Sequence, residues 1–151
     1  MSDTANNGTD TKTPWHLWTV GVISLLWNSF GAFDYTMTNM QGEAYLKANE
    51  YSAEQIAYFT SFPVWAVALW AVGVWGAVLG SILLLLRKKQ AVPIFTISML
   101  ALIFNSAYLY GFANGIEMMG TGGMVFAFVL FLIALFLVVY SRKMRDAGRL
   151  T

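Results

Sequence analysis

Residues 63–89 read PVWAVALWAVGVWGAVLGSILLLLRKK: 24 residues without a charge, followed at once by Arg87, Lys88 and Lys89. At 1.5 Å of rise per residue a helix of that length is about 36 Å long, enough to cross the roughly 30 Å of hydrocarbon in a bilayer. The abrupt basic stop marks where such a helix would meet water.

Working outward, three more runs have the same character: residues 15–38, 91–112 and 122–140. Each holds the roughly 17–25 mostly apolar residues a spanning helix needs. The chain has 151 residues, of which 58% are hydrophobic and 11% charged. Soluble domains carry about 25% charged residues, and one of this length could not place four such runs without exposing most of them. The expected fold is therefore an all-α integral membrane protein with four transmembrane helices in one domain over 15–141. A disordered tail over 1–14 and a basic tail over 142–151 would flank it.

The basic residues set the expected topology. Lys12, Arg87, Lys88, Lys89, Arg142, Lys143, Arg145 and Arg149 fall on one side of the runs, and Lys47 alone falls on the other. The positive-inside rule then places both termini in the cytoplasm, with outer loops at about 39–62 and 113–121. The tail before Pro14 is polar and aperiodic, without the positive cluster of a signal peptide. The first run is also too long for one, so an uncleaved helix is expected. Pro14 suits its first turn. Trp15, Trp18 and Tyr140 would anchor the inner interface, and Tyr35, Tyr58, Trp65, Tyr108 and Tyr110 the outer one.

Several chemistries are excluded or unsupported. The chain has no cysteine and a single histidine, His16, so thiolate metal sites and a bis-imidazole haem within one chain are ruled out. No nucleophile–base pair, metal cluster or cofactor fingerprint is present. No enzymatic activity, cofactor or nucleic-acid partner is expected.

The first outer loop carries a helix signal of its own. Ser52-Ala53-Glu54-Gln55 has capping-box spacing, and Tyr51 with Ile56 fits a hydrophobic staple around it. A short interfacial helix over 53–61 would present Ile56 and Phe59 along one side. The second outer loop, glycine-rich over 114–123, reads as turns.

The spans differ in what they offer. In the first, Gly21, Ser24, Asn28, Gly31, Tyr35 and Thr38 recur every three or four residues, forming one small or polar stripe beside Asp34. In the second, Ala66, Gly73, Gly76 and Gly80 form a helix-packing seam, interrupted by Leu69, within the bundle or in an oligomer. The third offers Ser98, Ala101, Asn105 and Tyr108, and the fourth has no polar group before Tyr140. Trp27-Asn28-Ser29 and Phe104-Asn105-Ser106 echo each other 77 residues apart, as in a parallel hairpin repeat.

Together these patterns place a candidate ligand-binding patch, Asn28, Asp34, Tyr35, Asn105 and Tyr108, in the outer half of the bundle. Trp27, Trp70 and Trp75 would wall it. Amide and phenol groups flanked by indoles suit a small polar solute, and Asp34, as an intramembrane carboxylate, would carry a proton or cation. The same amides would equally serve as interhelical hydrogen bonds, and Asp34 as a solvated carboxylate at a helix end.

Trp27-Asn28, Gly31, Asp34-Tyr35, the run Gly73-Val74-Trp75-Gly76-Ala77-Val78-Leu79-Gly80-Ser81 and Gly120-Thr121-Gly122-Gly123 resemble a family of small, largely uncharacterised four-helix bacterial inner-membrane proteins. Some members of that family are labelled sugar transporters. The resemblance covers most of the chain beyond the tail and implies a bacterial inner membrane, without supplying site residues. Small multidrug transporters also use four helices and an acidic residue in the first, but theirs is a glutamate set deeper than Asp34. Membrane glutathione enzymes would need basic residues along the helices, and PQ-loop carriers a Pro-Gln pair; this chain has neither. Two functions are expected from this reading: a small transporter or ligand-binding protein, or a non-catalytic accessory subunit of a larger membrane complex. The expected partners are the lipid bilayer and either a second copy, through the glycine seam, or that larger complex.

Overall fold

The computed structural model describes residues 12–151. The expected disordered tail lies outside the described residues except for Lys12, Thr13 and Pro14. Six helices, and no strand among the described residues, follow in order: α1 (Trp15–Gln41), α2 (Glu43–Ala48), α3 (Ala53–Thr60), α4 (Val64–Leu85), α5 (Ala91–Gly111) and α6 (Gly115–Asp146). α4, α5 and α6 are long and apolar enough to cross a membrane. α1 is long enough at 27 residues but is not one of those three. Ser24, Asn28, Ser29 and Asp34 dilute its apolar content. Val64 and Phe112 are 85% and 84% exposed, a surface suited to lipid rather than water.

Helix ends follow local chemistry. Pro14 sits just before α1 as its N-cap instead of within its first turn. Gly42 closes α1 at φ +53°, with its N–H donating to the Thr38 carbonyl; glycine takes that conformation without a Cβ clash. Directly after it comes α2, absent from the sequence expectation. At α3 the capping box forms as its spacing predicts. Ser52 Oγ accepts from the Gln55 N–H at 3.2 Å, and Gln55 Oε1 accepts from the Ser52 N–H at 3.0 Å.

The glycine-rich segment departs from expectation. Residues 115–119 are helical and continue into α6, with a kink at Gly120, φ +64°. Each glycine costs a helix about 1 kcal/mol relative to alanine without forbidding it, so composition alone overstated the break. The basic segment after residue 141 is likewise not a free tail. α6 runs on to Asp146, where Lys143 and Arg145 complement the negative end of its dipole. Leu150 is then buried, and Thr151 exchanges backbone hydrogen bonds with Arg87 and Lys89.

The four long helices pack in chain order, α1 on α4, α4 on α5 and α5 on α6. The core gathers at the basic end around Leu17, Leu84, Phe95, Leu137, Val138 and Leu150. There α1 meets α6, where His16 Nδ1 and the Tyr140 hydroxyl share a hydrogen bond.

The glycine seam of α4 faces α5 of the same chain. A Cβ at Gly76 would lie 3.1 Å from Ser98 Cβ, and one at Gly80 would lie 2.7 Å from the Phe95 ring. Gly73 faces the backbone of Ser98 and Leu102, and Ala66 is buried. α5 of the same chain thus occupies this seam, the within-bundle one of the two expected arrangements.

Candidate functional site

α1 is fastened to α4 along its small and polar stripe. Gly21 lies against Leu85, Gly31 against Val74, and the Tyr35 ring meets Trp70 edge-on at 5.1 Å. Between them, Asn28 Nδ2 donates to Ser81 Oγ at 3.0 Å and to the Ala77 carbonyl at 3.3 Å. On the opposite flank of α4, Ser98 Oγ donates to the Gly73 carbonyl. α4 is thus the shared partner of both neighbours.

α1 and α6 converge at the basic end, and a cavity of about 690 Å³ lies among the four long helices. Its α1 wall is Trp27, Asn28, Phe30, Gly31, Phe33, Asp34 and Thr38. α4 supplies Leu69, Trp70, Gly73, Val74 and Ala77. From α5 come Ser98, Leu102, Asn105, Ser106, Leu109 and Tyr110, and α6 adds an apolar wall from Met119 to Leu137. Tyr45, Leu46, Tyr51, Phe59 and Phe62 line it from the α2–α3 segment. That segment is held to α6 by Gln55 Nε2, which donates to the Met118 carbonyl at 3.0 Å.

Asp34 is exposed and accepts a hydrogen bond from the Tyr45 hydroxyl at 3.0 Å. Loss of solvent raises the Tyr45 phenol above its ordinary pKa, and the bond to Asp34 and its charge add to that. Burial also raises Tyr51, with the Asp34 charge again contributing. The field of one carboxylate therefore reaches both phenols on the cavity wall. Asn105 makes no hydrogen bond among the described residues and lines the same space.

The five expected ligand residues divide. Asn28, Asp34 and Asn105 line one cavity, although Asn28 is already engaged with α4. Tyr35 and Tyr108 are not on its wall. Tyr108 stacks edge-on against Trp65 at 4.5 Å and faces Phe62 at 6.4 Å. Of the three deep indoles, Trp27 and Trp70 line the cavity while Trp75 is exposed on the outer surface. Sequence reasoning missed Tyr45, Tyr51, Ser106 and Tyr110. The staple-like position of Tyr51 was a signal for one of them. Among the described residues no three His, Cys, Asp or Glu side chains gather as metal ligands would. The Tyr58 hydroxyl, beneath Phe59 and Phe62, is buried without a partner among the described residues.

A helical membrane protein with an aromatic-walled cavity among its four long helices is the class this architecture defines. No protein-family model, no curated protein and no solved structure matches the chain.

Proposed function

We propose that the chain is a four-span inner-membrane protein, with both termini cytoplasmic, that binds a small amphipathic solute in this cavity and acts as its transporter or receptor. The cavity carries the reading. Its volume of about 690 Å³ falls within the roughly 300–1,000 Å³ usual for ligand sites, and its mainly apolar wall with few convergent polar groups is the usual chemistry of such sites. α1 supplies the fourth span. Its packing beside α4, from Gly21 on Leu85 to Tyr35 on Trp70, supports that reading.

The lining narrows the ligand. A sugar would desolvate its hydroxyls against Phe30, Phe33, Leu102 and Leu130, where nothing replaces their hydrogen bonds. A ligand with an apolar body and a small neutral or cationic head fits better. Its body lies along α1 and α6, and its head lies near Asp34, where Tyr45, Tyr51 and Phe33 also line the cavity and aromatic rings suit a cationic head.

Trp27 and Trp70 make binding readable by fluorescence in lipid nanodiscs. Dodecyltrimethylammonium, dodecyl glucoside and dodecyl sulfate are the probes. Saturable quenching is expected for the first two and is weakened for the cationic probe by Asp34→Asn. Equal, unsaturable quenching by all three would remove the reading. Saturable uptake of the bound probe by proteoliposomes would then separate a transporter from a receptor.

A second reading, the accessory subunit, is favoured by one observation. Phe30 and Phe33 on α1 and Phe126 on α6 line the cavity yet stay 74%, 57% and 55% exposed, a face that a partner's helix would cover. Co-purification of a stoichiometric membrane partner that abolishes probe quenching would establish that role.

A further inference from the structure

A second concavity, of about 520 Å³, lies at the basic end of the bundle between α5 and α6, apart from the cavity above. Val92, Pro93, Thr96 and Ile97 line it from the first two turns of α5, and Arg142 and Arg145 line it from α6. The two arginines are three residues apart, so both project from one face of α6. The Thr96 hydroxyl is engaged with the Val92 carbonyl at 2.8 Å. What remains open to a ligand is an apolar strip beneath a cationic edge.

The surrounding charge is one-sided. Among the described residues, Lys12, Arg87, Lys88, Lys89, Arg142, Lys143, Arg145 and Arg149 stand at this end against one carboxylate, Asp146. Asp146 is held by Arg145 at 2.9 Å. Arg87 and Arg149 donate to the backbone carbonyls of Arg149 and Lys12. Arg142 has no hydrogen-bonded or ionic partner among the described residues, and it stands over the apolar strip. The positive end of the α5 dipole lies at the same place.

We propose that this groove binds an anionic phospholipid of the surrounding leaflet. Its headgroup phosphate lies on Arg142 and Arg145, and an acyl chain runs along Pro93 and Ile97. Guanidinium groups suit phosphate oxygens in both charge and geometry, and basic pockets between spans are where anionic headgroups settle. A free phosphate would make no use of the exposed Pro93 and Ile97 side chains, whereas a lipid uses both halves of the groove. The proposal needs no ligand in the larger cavity.

Native mass spectrometry of the full chain, doped with equal phosphatidylglycerol and phosphatidylcholine, tests it. The wild type is expected to retain phosphatidylglycerol in preference. Arg142→Ala with Arg145→Ala is expected to cut that retention roughly ten- to thirty-fold, at about 1 kcal/mol per basic residue, leaving phosphatidylcholine adducts unchanged. Asp146→Asn frees Arg145 and is expected to raise retention. Lys88→Ala with Lys89→Ala removes the same charge from the same end outside the groove, and is expected to have a small effect. The proposal is overturned if the Arg142/Arg145 variant retains phosphatidylglycerol like the wild type. An equal loss in the Lys88/Lys89 variant would instead mean diffuse attraction, and displacement by millimolar inorganic phosphate a bare anion site; either also overturns it.

Discussion

Asn28 on α1 donates to Ser81 on α4 at 3.0 Å while Asn105, its echo on α5, lines the cavity with no hydrogen bond among the described residues. Two amides in the same local pattern thus have different environments. The first prediction compares them. Asn28→Ala removes the donor to Ser81 and to the Ala77 carbonyl, and is expected to cost about 0.5–2 kcal/mol. Asn105→Ala removes no hydrogen bond and is expected to leave stability unchanged or slightly raised, as for a residue kept for binding. Reversible unfolding of the two variants in mixed micelles reads the difference; equal losses would place both amides among the structural contacts.

The stripe reasoning behind this contrast worked where one helix faces one neighbour. Of the six stripe residues of α1, Gly21, Asn28, Gly31 and Tyr35 meet α4, Ser24 bonds back to the Gly21 carbonyl and Thr38 lines the cavity. It faltered on α5, which has a neighbour on each side. Extending the stripe from Asn105 by three residues reaches Tyr108, which packs on Trp65; extending it by four or five reaches Leu109 and Tyr110, which line the cavity. Each helical residue turns the side chain by roughly 100°, so the choice between i+3 and i+4 selects a different neighbour, and sequence spacing does not say which. α2 was illegible for another reason. Six residues between Gly42 and Asn49 are too few for a periodic pattern.

Gly80 and Gly73 share one seam but not one tolerance. A Cβ at Gly80 would sit 2.7 Å from the ring of Phe95, a buried side chain that would have to shift, whereas one at Gly73 finds its nearest neighbours at 3.9 Å. Gly80→Ala is expected to destabilise by about 1–3 kcal/mol through overpacking. Gly73→Ala should be neutral or stabilising, because alanine favours the helix by up to about 1 kcal/mol. Denaturant midpoints of the two variants give the comparison, and a tolerated Gly80→Ala would mean α4 and α5 are less closely packed than the structure has them.

The Asp34 carboxylate should be visible in the titration of its neighbours. Tyr45 and Tyr51 have phenols raised by burial first and by Asp34 second. A raised phenol contributes stability that is fully present below its unfolded pKa of about 10 and is lost as pH rises through the folded value. Stability at neutral pH is therefore insensitive to these groups, and the loss falls on the alkaline side. Asp34→Asn removes the charge and leaves burial, so tyrosinate absorbance near 295 nm is expected to develop at lower pH than in the wild type. Tyr45→Phe with Tyr51→Phe should abolish that difference; an unchanged titration in Asp34→Asn would mean the carboxylate does not act on these phenols.

α3 lines the cavity through Phe59, and two side chains hold this helix in different ways. The Ser52 side chain makes only the capping-box bond from the Gln55 N–H, so Ser52→Ala removes one local bond and is expected to fray α3 by about 1 kcal/mol. Gln55 does more: its Oε1 accepts from Ser52 and its Nε2 donates to the Met118 carbonyl on α6. Gln55→Ala therefore loosens both the helix start and its attachment across the bundle. Hydrogen exchange over 53–60 should rise modestly in Ser52→Ala and further in Gln55→Ala, and only the latter should also raise exchange near Met118. If α3 acts as a lid over the ligand, Gln55→Ala should speed both binding and release of dodecyltrimethylammonium with a smaller change in affinity, because a lid sets rates more than the depth of the site. Faster exchange over α3 with unchanged probe kinetics would make α3 a support for the wall, and entry would then run between α1 and α6.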